Sequence, residues 1–326
     1  MIYPNFLKKN DTIGICAPSA GMGNKLESLD ESIKAIKKYG YKVKETKSVR
    51  NIGNRSTGSK NRAKEIDELV LDKDVNAISC VTGGDYMLEV LPYINFDHIK
   101  DNPKWLLGMS DPTNLLYTVT TKLDIATMYG HNGGGYTLDL NRSKKQNLDY
   151  LNGSIKIQKS YTKYQDFIDT CNDVKVFDKK VKWISKNDVN ETGRLIGGCL
   201  EVIEKIVGTE YDYTKQFLEK YKDDGIIWYF DVFNMSSYAF YLTLLQFKYA
   251  GFFKHCKAVL IGRVAFPTVE DAKFDYIKAA DLALKNIPHI CEMDIGHTKP
   301  GMTLINGAIC NVKYSDGKGS LSFKLR

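Results

Sequence analysis

The sequence predicts an α/β protein, in which an N-terminal domain holds a doubly wound, mostly parallel sheet and a C-terminal α/β domain ends in terminal strands. Short apolar runs alternate with amphipathic stretches, and turn residues such as Gly83-Gly84 close the runs. A polar segment, 132–190, separates two series of this kind. Strands that alternate with crossover helices are typical of parallel sheets covered on both faces. We therefore expect an N-terminal domain over 1–165, a linker over 166–190 and a C-terminal domain over 191–326.

The N-terminal half supports this prediction element by element. Apolar runs indicate strands at 12–17, 41–43, 76–81 and 105–107. The first run ends in the turn 18–21, and an apolar face spaced as in a helix follows over 26–36 and stops at Gly40, a common helix terminator. A second helix is expected over 62–71. Ligands bind at the carboxyl ends of the strands in such sheets, so we expect Gly83-Gly84 and Ser110 to be neighbours.

The C-terminal half repeats the alternation. Strands are expected at 226–230 and 258–262, and helices at 200–206, 237–249 and 271–284. Two terminal strands are expected around 302–312 and 321–324.

Composition excludes several classes of protein. Of the 326 residues, 43% are hydrophobic and 26% charged, as in a soluble globular protein, and no apolar run is long enough to span a bilayer. The net charge of +7 is spread without a basic stripe interleaved with aromatic residues, which argues against a nucleic-acid partner and is suited to attracting small anionic substrates. The seven cysteines form no C-x-x-C pair, so neither a disulfide framework nor a zinc site is indicated. With no secretory leader at the start, these features favour the cytoplasm.

Ser110 is the candidate nucleophile. The run 105–107 leads into Gly108-Met109-Ser110-Asp111-Pro112 and then an apolar stretch, which predicts a strand, a sharp turn and a helix. Asp111 is expected as the helix N-cap and the proline at its first position. A hydroxyl beside a helix N-terminus lies near N–H groups that stabilise an anion. The alternative is a helix cap without chemistry, because the second glycine of G-x-S-x-G is missing.

Two later positions can activate that hydroxyl. Asp231 closes the apolar strand 226–230, and His297 lies in the loop 296–300. A serine needs a base, and the base needs an orienting acid, so the chain order serine, acid, histidine predicts a serine hydrolase. The N–H of Asp111 and that of Gly84, or alternatively of Gly83, are the expected oxyanion donors, since glycine permits close backbone approach.

Several motifs together resemble the LD-carboxypeptidase family, and the histidine loop is similar to its microcin C immunity branch. The resemblance extends over nearly the whole chain and rests on five segments: Asp11-Thr12-Ile13-Gly14 with Ala17-Pro18-Ser19, Gly83-Gly84 before 91–93 and 102–104, Gly108-Met109-Ser110-Asp111, Leu195-Ile196-Gly197-Gly198, and Gly296-His297-Thr298. It implies Ser110 as nucleophile, His297 as general base, a homodimer, and no metal or other cofactor. The implied substrates are a murein peptide ending in D-Ala or the acyl link of a processed microcin.

The chain also departs from the family pattern. The resemblance implies glutamate at the position of Asp231, whose side chain is one methylene shorter, so we expect a backbone shift of about 1 Å to keep its hydrogen bond to the histidine. Cys199 stands where the family commonly has asparagine, and together with Gly83 and Asp85 it is a weaker candidate for substrate binding. Arg263 follows an apolar strand and is either a carboxylate ligand or an ordinary charge.

Three functions stay open at this point. The first is a serine amidohydrolase acting on a short peptide or a peptide–nucleotide conjugate. The second is a catalytically impaired binding relative, favoured if Asp231 fails to reach His297. A nucleotide-binding oxidoreductase is disfavoured because no G-x-G-x-x-G follows the first strand.

Overall fold

A computed structural model of the chain describes residues 1–168 and 177–325. Cys171, in the predicted linker, lies outside the described residues. The chain forms two compact units, one of Met1–Ile155 with Thr303–Gly307 and one of Lys156–Met302 with Ala308–Arg326. The domain limits given above remain a prediction.

The first unit is built on one six-stranded sheet. Its strands are β1 (Thr12–Cys16), β2 (Lys42–Glu45), β3 (Val75–Cys80), β4 (Trp105–Gly108), β5 (Thr127–Tyr129) and β13 (Leu304–Asn306). Its helices are α1 (Leu26–Tyr39), α2 (Ser59–Leu71), α3 (Phe96–Asp101), α4 (Thr113–Leu123) and α5 (Arg142–Leu151). Short 3₁₀ turns occupy Gly23–Lys25, Lys47–Arg50 and Leu88–Tyr93.

The order of this sheet is β13-β5-β4-β3-β1-β2, and every pair is parallel except the one between β13 and β5. From β1 the chain passes outward to β2 on one side of the sheet, and from β3 it passes outward to β4 on the other side. Loops that follow β1 and β3 therefore diverge at a topological switch point, which is where open α/β sheets bind ligands. The loops after β3 and β4 carry the candidate residues of this unit.

The second unit is built on a seven-stranded sheet of order β12-β11-β10-β9-β14-β15-β6. Its strands are β6 (Gln158–Lys159), β9 (Val189–Cys199), β10 (Ile226–Asp231), β11 (Cys256–Gly262), β12 (His289–Met293), β14 (Ile309–Ser315) and β15 (Lys318–Lys324). β7 (Lys163–Tyr164) and β8 (Lys179–Lys180) form a separate two-stranded ribbon. Its helices are α6 (Leu200–Ile206), α7 (Thr214–Lys220), α8 (Ser237–Tyr249) and α9 (Tyr276–Leu284). Strands β9 to β12 are parallel, and the terminal strands are antiparallel.

These sheets confirm the predicted fold class, and three details of the prediction were wrong. The expected strand over 302–312 is split at Gly307, whose φ of +84° turns the chain: β13 pairs with β5, whereas β14 pairs with β9. α9 begins at Tyr276 rather than at 271, because the Asp275 side chain caps it by accepting the Lys278 N–H at 2.8 Å. The polar segment expected to cross between domains contains α5.

The core of the second unit fixes the position of the candidate acid. All six residues of β10 are buried, and Trp228 stacks on Phe252 with ring centroids 5.6 Å apart. Burying one large apolar side chain stabilises a fold by about 1.5–3 kcal/mol, so this strand is held firmly on both faces. Asp231 ends that strand.

Among the described residues, no helix is long and apolar enough to cross a membrane. None of the six cysteines within the described ranges forms a disulfide.

Candidate active site

Ser110 lies on a strained turn between β4 and α4. Its φ is +73°, a left-handed conformation that costs residues with a side chain roughly 1–2 kcal/mol. Two side chains hold the turn: the Tyr129 hydroxyl accepts the Ser110 N–H at 3.0 Å, and the Asn132 amide oxygen accepts the Met109 N–H at 2.9 Å. Sequence reasoning missed both residues. No local pattern signals Tyr129, because its place directly beside Gly108 follows from the pairing of β5 with β4.

The Asp111 carboxylate does not cap α4, contrary to prediction. The helix begins at Thr113, and no side chain caps its N-terminus. The buried Asp111 carboxylate instead accepts hydrogen bonds from the Ser19 hydroxyl, from the Met87 N–H at 2.8 Å and from the Asn114 side-chain amide at 2.9 Å. Ser19 follows β1 and Met87 follows β3, so this carboxylate joins the loops around the serine.

The glycine pair lies against the serine. A side-chain carbon on Gly83 would be 3.0 Å from the Ser110 Cβ and 3.2 Å from its Oγ. The Gly83 carbonyl accepts the Ala20 N–H at 3.3 Å, and in a trans peptide the following N–H, that of Gly84, points the opposite way. This Gly84 N–H makes no hydrogen bond within residues 1–168 and 177–325, as an oxyanion donor requires. Asp85 is exposed.

Asp231 and His297 form a buried pair. The imidazole Nδ1 is 3.0 Å from Oδ1 and 2.9 Å from Oδ2 of the carboxylate, and the exposed fractions are 7% for the histidine and zero for the aspartate. The histidine backbone N–H also donates to Oδ1 at 3.3 Å. The shorter side chain of Asp231 reaches the imidazole because Gly296, at φ +92°, brings the histidine loop close to the carboxylate. A Cβ on Gly296 would lie 1.8 Å from Oδ1.

Aromatic rings surround the imidazole. The Phe233 ring lies 4.5 Å from it between centroids, and the Phe167 ring meets it edge-on at 5.5 Å. Phe266 packs against both phenylalanines. These contacts restrict the orientation of the ring, so that the edge that carries Nδ1 stays directed at the carboxylate.

Glu201 is a second carboxylate that sequence reasoning missed. Its Oε1 accepts the N–H groups of Phe233 and Asn234, each at 2.8 Å, and thereby fixes the segment that follows β10. Burial lowers the pKa of His297, but the charges of Asp231 and Glu201 and the hydrogen bond to Asp231 oppose it, and the net pKa is raised above its usual value. The available signal was an acid in the first turn of α6, just after β9.

Cys199 lies beside the acid, paired in register with Asp231 on the neighbouring strand. Its thiol donates to Glu201 at 3.3 Å. Burial and the charges of Glu201 and Asp231 raise the pKa of this thiol well above its usual value, so it is held as a neutral S–H. A protonated, buried thiol is inert as a nucleophile.

The candidate residues divide between the two units. The first unit holds Ser110, Asp111 and the 83–85 loop, and the second holds Asp231, His297 and Cys199. Across the part of the chain that the structure describes, no group of three or more His, Cys, Asp or Glu side chains is arranged to hold a metal ion. A buried acid–imidazole pair and a serine on a strained turn are the parts that nucleophilic catalysis uses.

Comparison with known proteins gives matches over most of the chain. Residues 13–130 match the model of the LD-carboxypeptidase N-terminal domain, and residues 192–312 match that of the LD-carboxypeptidase C-terminal domain. The putative carboxypeptidase YocD of Bacillus subtilis is 26% identical, with 97% of each chain covered. The microcin C7 self-immunity protein MccF of Escherichia coli is 25% identical over 97% of this chain and 94% of its own.

Solved structures share the fold. MccF in complex with aspartyl sulfamoyl adenosine superposes with a TM-score of 0.85 at 22% identity, covering 99% of both chains. Muramoyltetrapeptide carboxypeptidase from Oxalobacter formigenes superposes with a TM-score of 0.75 at 21% identity, covering 96% of this chain and 99% of its own.

Proposed function

This chain belongs to the LD-carboxypeptidase family of serine peptidases, and we propose that it hydrolyses an amide bond in a short murein-type peptide or in an aminoacyl–nucleotide conjugate. The observation that carries the proposal is the buried pair of Asp231 and His297, with Nδ1 at 2.9 and 3.0 Å from the two carboxylate oxygens. A carboxylate on Nδ1 leaves Nε2 as the nitrogen that takes a proton from a nucleophile.

Ser110 supplies that nucleophile. His297 accepts the hydroxyl proton as the Ser110 oxygen attacks the amide carbon, and Asp231 stabilises the imidazolium that forms. The imidazolium then gives its proton to the leaving amine, and water hydrolyses the acyl-enzyme. The positive φ of Ser110 and the nearby Gly83 support this role, because the strained turn holds the hydroxyl at the end of β4.

The tetrahedral intermediate carries a negative charge on oxygen, which needs preorganised donors. We assign these to the N–H groups of Gly84 and Asp111. The Gly84 N–H is supported by its lack of a hydrogen bond among the described residues. The Asp111 N–H is supported by its place directly after the nucleophile, and its carboxylate fixes the residue through Ser19 and Met87. Losing one such donor typically lowers kcat by about 10²–10³.

The binding relative with impaired catalysis is the weaker alternative. This alternative requires that the shorter acid fail to reach the imidazole, whereas Asp231 contacts Nδ1 within ordinary hydrogen-bond distance. Gly296 provides the close approach that the shorter side chain needs.

Two substrates represent the two branches of the proposal. A murein tetrapeptide ending in D-Ala follows the similarity to muramoyltetrapeptide carboxypeptidase. An aminoacyl sulfamoyl adenylate follows the similarity to MccF, which has been solved with aspartyl sulfamoyl adenosine.

The test is a coupled hydrolysis assay of both substrates with four proteins. Wild type and Ser154→Ala, a matched serine change at an exposed position, are expected to release product; Ser110→Ala and His297→Gln are expected to be inactive. Turnover of one substrate also selects the branch. Turnover that persists in Ser110→Ala refutes the nucleophile, and silence of folded wild type on both substrates refutes the proposed substrates.

We also infer a cytoplasmic location and a homodimer. Cysteines that form no disulfides in the described ranges suit a reducing compartment, and the family resemblance implies the dimer. Light scattering on the purified protein tests the homodimer. A mass near 74 kDa, twice the 36.9 kDa of one chain, supports the dimer, and the mass of a single chain refutes it.

A further inference from the structure

A cavity of about 260 Å³ lies within the second unit, lined in part by Tyr164, Arg263, Tyr276, Glu292 and Thr298. Cavities of about 150 Å³ already hold a molecule the size of benzene, so this one has room for a short alkyl chain with a polar end. The proposed catalysis uses none of these side chains.

Arg263 is held by the protein through both of its terminal nitrogens. Its guanidinium donates to the Glu292 carbonyl at 3.0 Å and pairs with the buried Asp294 carboxylate, and its face lies 4.3 Å from the centre of the Tyr164 ring. Asp294 is in turn fixed by the Trp183 indole N–H at 3.0 Å. The arginine charge is thus matched by Asp294, and its Nε is buried without a hydrogen-bond partner among the described residues.

Glu292 is the charged group of the cavity that has no partner. Its carboxylate makes no hydrogen bond and no ion pair with any residue that the structure describes. The residue has a φ of +58°, which side-chain-bearing residues rarely adopt, at an irregularity in the pairing of β11 with β12. The pKa of Glu292 is raised above its usual value. Burial is the main cause and the charge of Asp275 adds to the rise, whereas the charge of Arg263 opposes it. A half-buried carboxylate left unpaired in a cavity points to a ligand.

A second, independent observation comes from another residue that lines the cavity. The Thr298 hydroxyl is fully buried and has no hydrogen-bond partner within the described ranges. Buried hydroxyls are nearly always paired, because leaving one unpaired destabilises the folded protein. Both this oxygen and the Glu292 carboxylate accept hydrogen bonds.

We propose that this cavity binds a primary ammonium group, whose N–H donors pair with the Glu292 carboxylate and the Thr298 hydroxyl. An ammonium carries three donors and one positive charge, which matches two acceptors and one uncompensated negative charge. The methylene carbons next to the ammonium pack on apolar walls that include Pro267 and Tyr276. The ammonium belongs either to a free amine or to the side chain of a diamino acid in a peptide; the second source rests on the proposed function.

Binding is measured by calorimetry with the Ser110→Ala protein, which prevents turnover. The probes are pentylamine, pentanol as its neutral counterpart, and a murein-type tetrapeptide with a free side-chain amine or with that amine acetylated. Each is titrated into proteins that also carry Glu292→Gln, Glu292→Gly or the exposed control Glu210→Gln. The glycine variant suits the left-handed backbone and removes the carboxylate, so the two Glu292 variants separate charge from strain.

We expect the ammonium probes to bind at least about tenfold more weakly to both Glu292 variants and equally well to Glu210→Gln. If only the affinity for pentylamine depends on Glu292, the ligand is a free amine. If the affinity for the tetrapeptide also depends on Glu292, and acetylation of its amine abolishes this dependence, the ligand is a peptide amine. The proposal is overturned if pentanol binds as tightly as pentylamine does. It is also overturned if the affinity for the ammonium probes is unchanged in Glu292→Gln. Because the assay reads binding without hydrolysis, inactive wild type refutes the proposed function and leaves this result standing.

Discussion

Replacing Asp231 by glutamate, the residue that the family resemblance implies, is expected to harm this protein. The carboxylate lies against Gly296, where a single carbon would be 1.8 Å from Oδ1 and 2.8 Å from Oδ2. Asp231 is also fully buried at the end of a buried strand. An added methylene therefore has no free space toward the histidine loop.

The magnitude follows from the packing. One methylene inserted into a well-packed site costs about 1–3 kcal/mol, and a displaced carboxylate also misorients the imidazole. If the whole strain opposes the transition state, 1–3 kcal/mol corresponds to a loss of roughly 5- to 150-fold in kcat/KM. Asp231→Asn, which removes the charge and supplies a donor in place of an acceptor, is expected to lose more, on the order of 10⁴ in rate.

The assay combines urea unfolding with kcat/KM on whichever substrate is turned over. Asp223→Glu, the same change at an exposed position, is the control and is expected to match wild type in both measurements. Asp231→Glu with wild-type stability and an equal or higher kcat/KM refutes the reasoning, because it shows that the site has room for the longer acid.

Three further changes test separate parts of the site. Ser110→Gly is expected to be more stable to urea than Ser110→Ala by up to about 1 kcal/mol, since φ +73° strains alanine but not glycine. Gly83→Ala is expected to lower kcat/KM on the order of 100-fold with little change in urea stability, because the added Cβ would lie 3.2 Å from the Ser110 Oγ. Glu201→Gln is expected to shift the acid limb of the kcat/KM pH profile to lower pH: the lost negative charge lowers the raised pKa of His297, and the neutral base persists to more acidic solution.

Each of these has a clear contrary result. Equal stability of the two Ser110 variants would show that the turn is unstrained, and a fully active Gly83→Ala would place the nucleophile away from that glycine. An acid limb that stays in place or moves to higher pH in Glu201→Gln would remove Glu201 from the electrostatics of the imidazole, even if the plateau rate falls.

The strands and helices with strong local signals were predictable to within a few residues. α8 has the same bounds in prediction and structure, 237–249, because Ser236 caps its start and Gly251 follows its end. The three-residue β5 and the polar α5 were missed, since the first is too short to show the period of a strand and the second has few apolar residues. The split of 302–312 into β13 and β14 depends on pairing with distant strands, and no local pattern records that.

The candidate residues were identified from short motifs, whereas the residues that hold them in place through hydrogen bonds were not. Ser110, Asp231 and His297 each follow a recognisable turn or strand end. Tyr129 and Glu201 act through contacts between segments far apart in sequence, 19 residues from Ser110 and 32 residues from Phe233. The cap assigned to Asp111 was wrong for the same reason: Ser19, 92 positions earlier, engages the carboxylate that a local pattern assigns to the helix.

The central claim, that His297 activates Ser110, is tested most directly by labelling with a fluorophosphonate and mapping the adduct by mass spectrometry. We expect one adduct per chain on Ser110 in wild type, no adduct in Ser110→Ala, and strongly slowed labelling in His297→Gln and Asp231→Asn. An adduct on another serine, or labelling of His297→Gln at the wild-type rate, would contradict it.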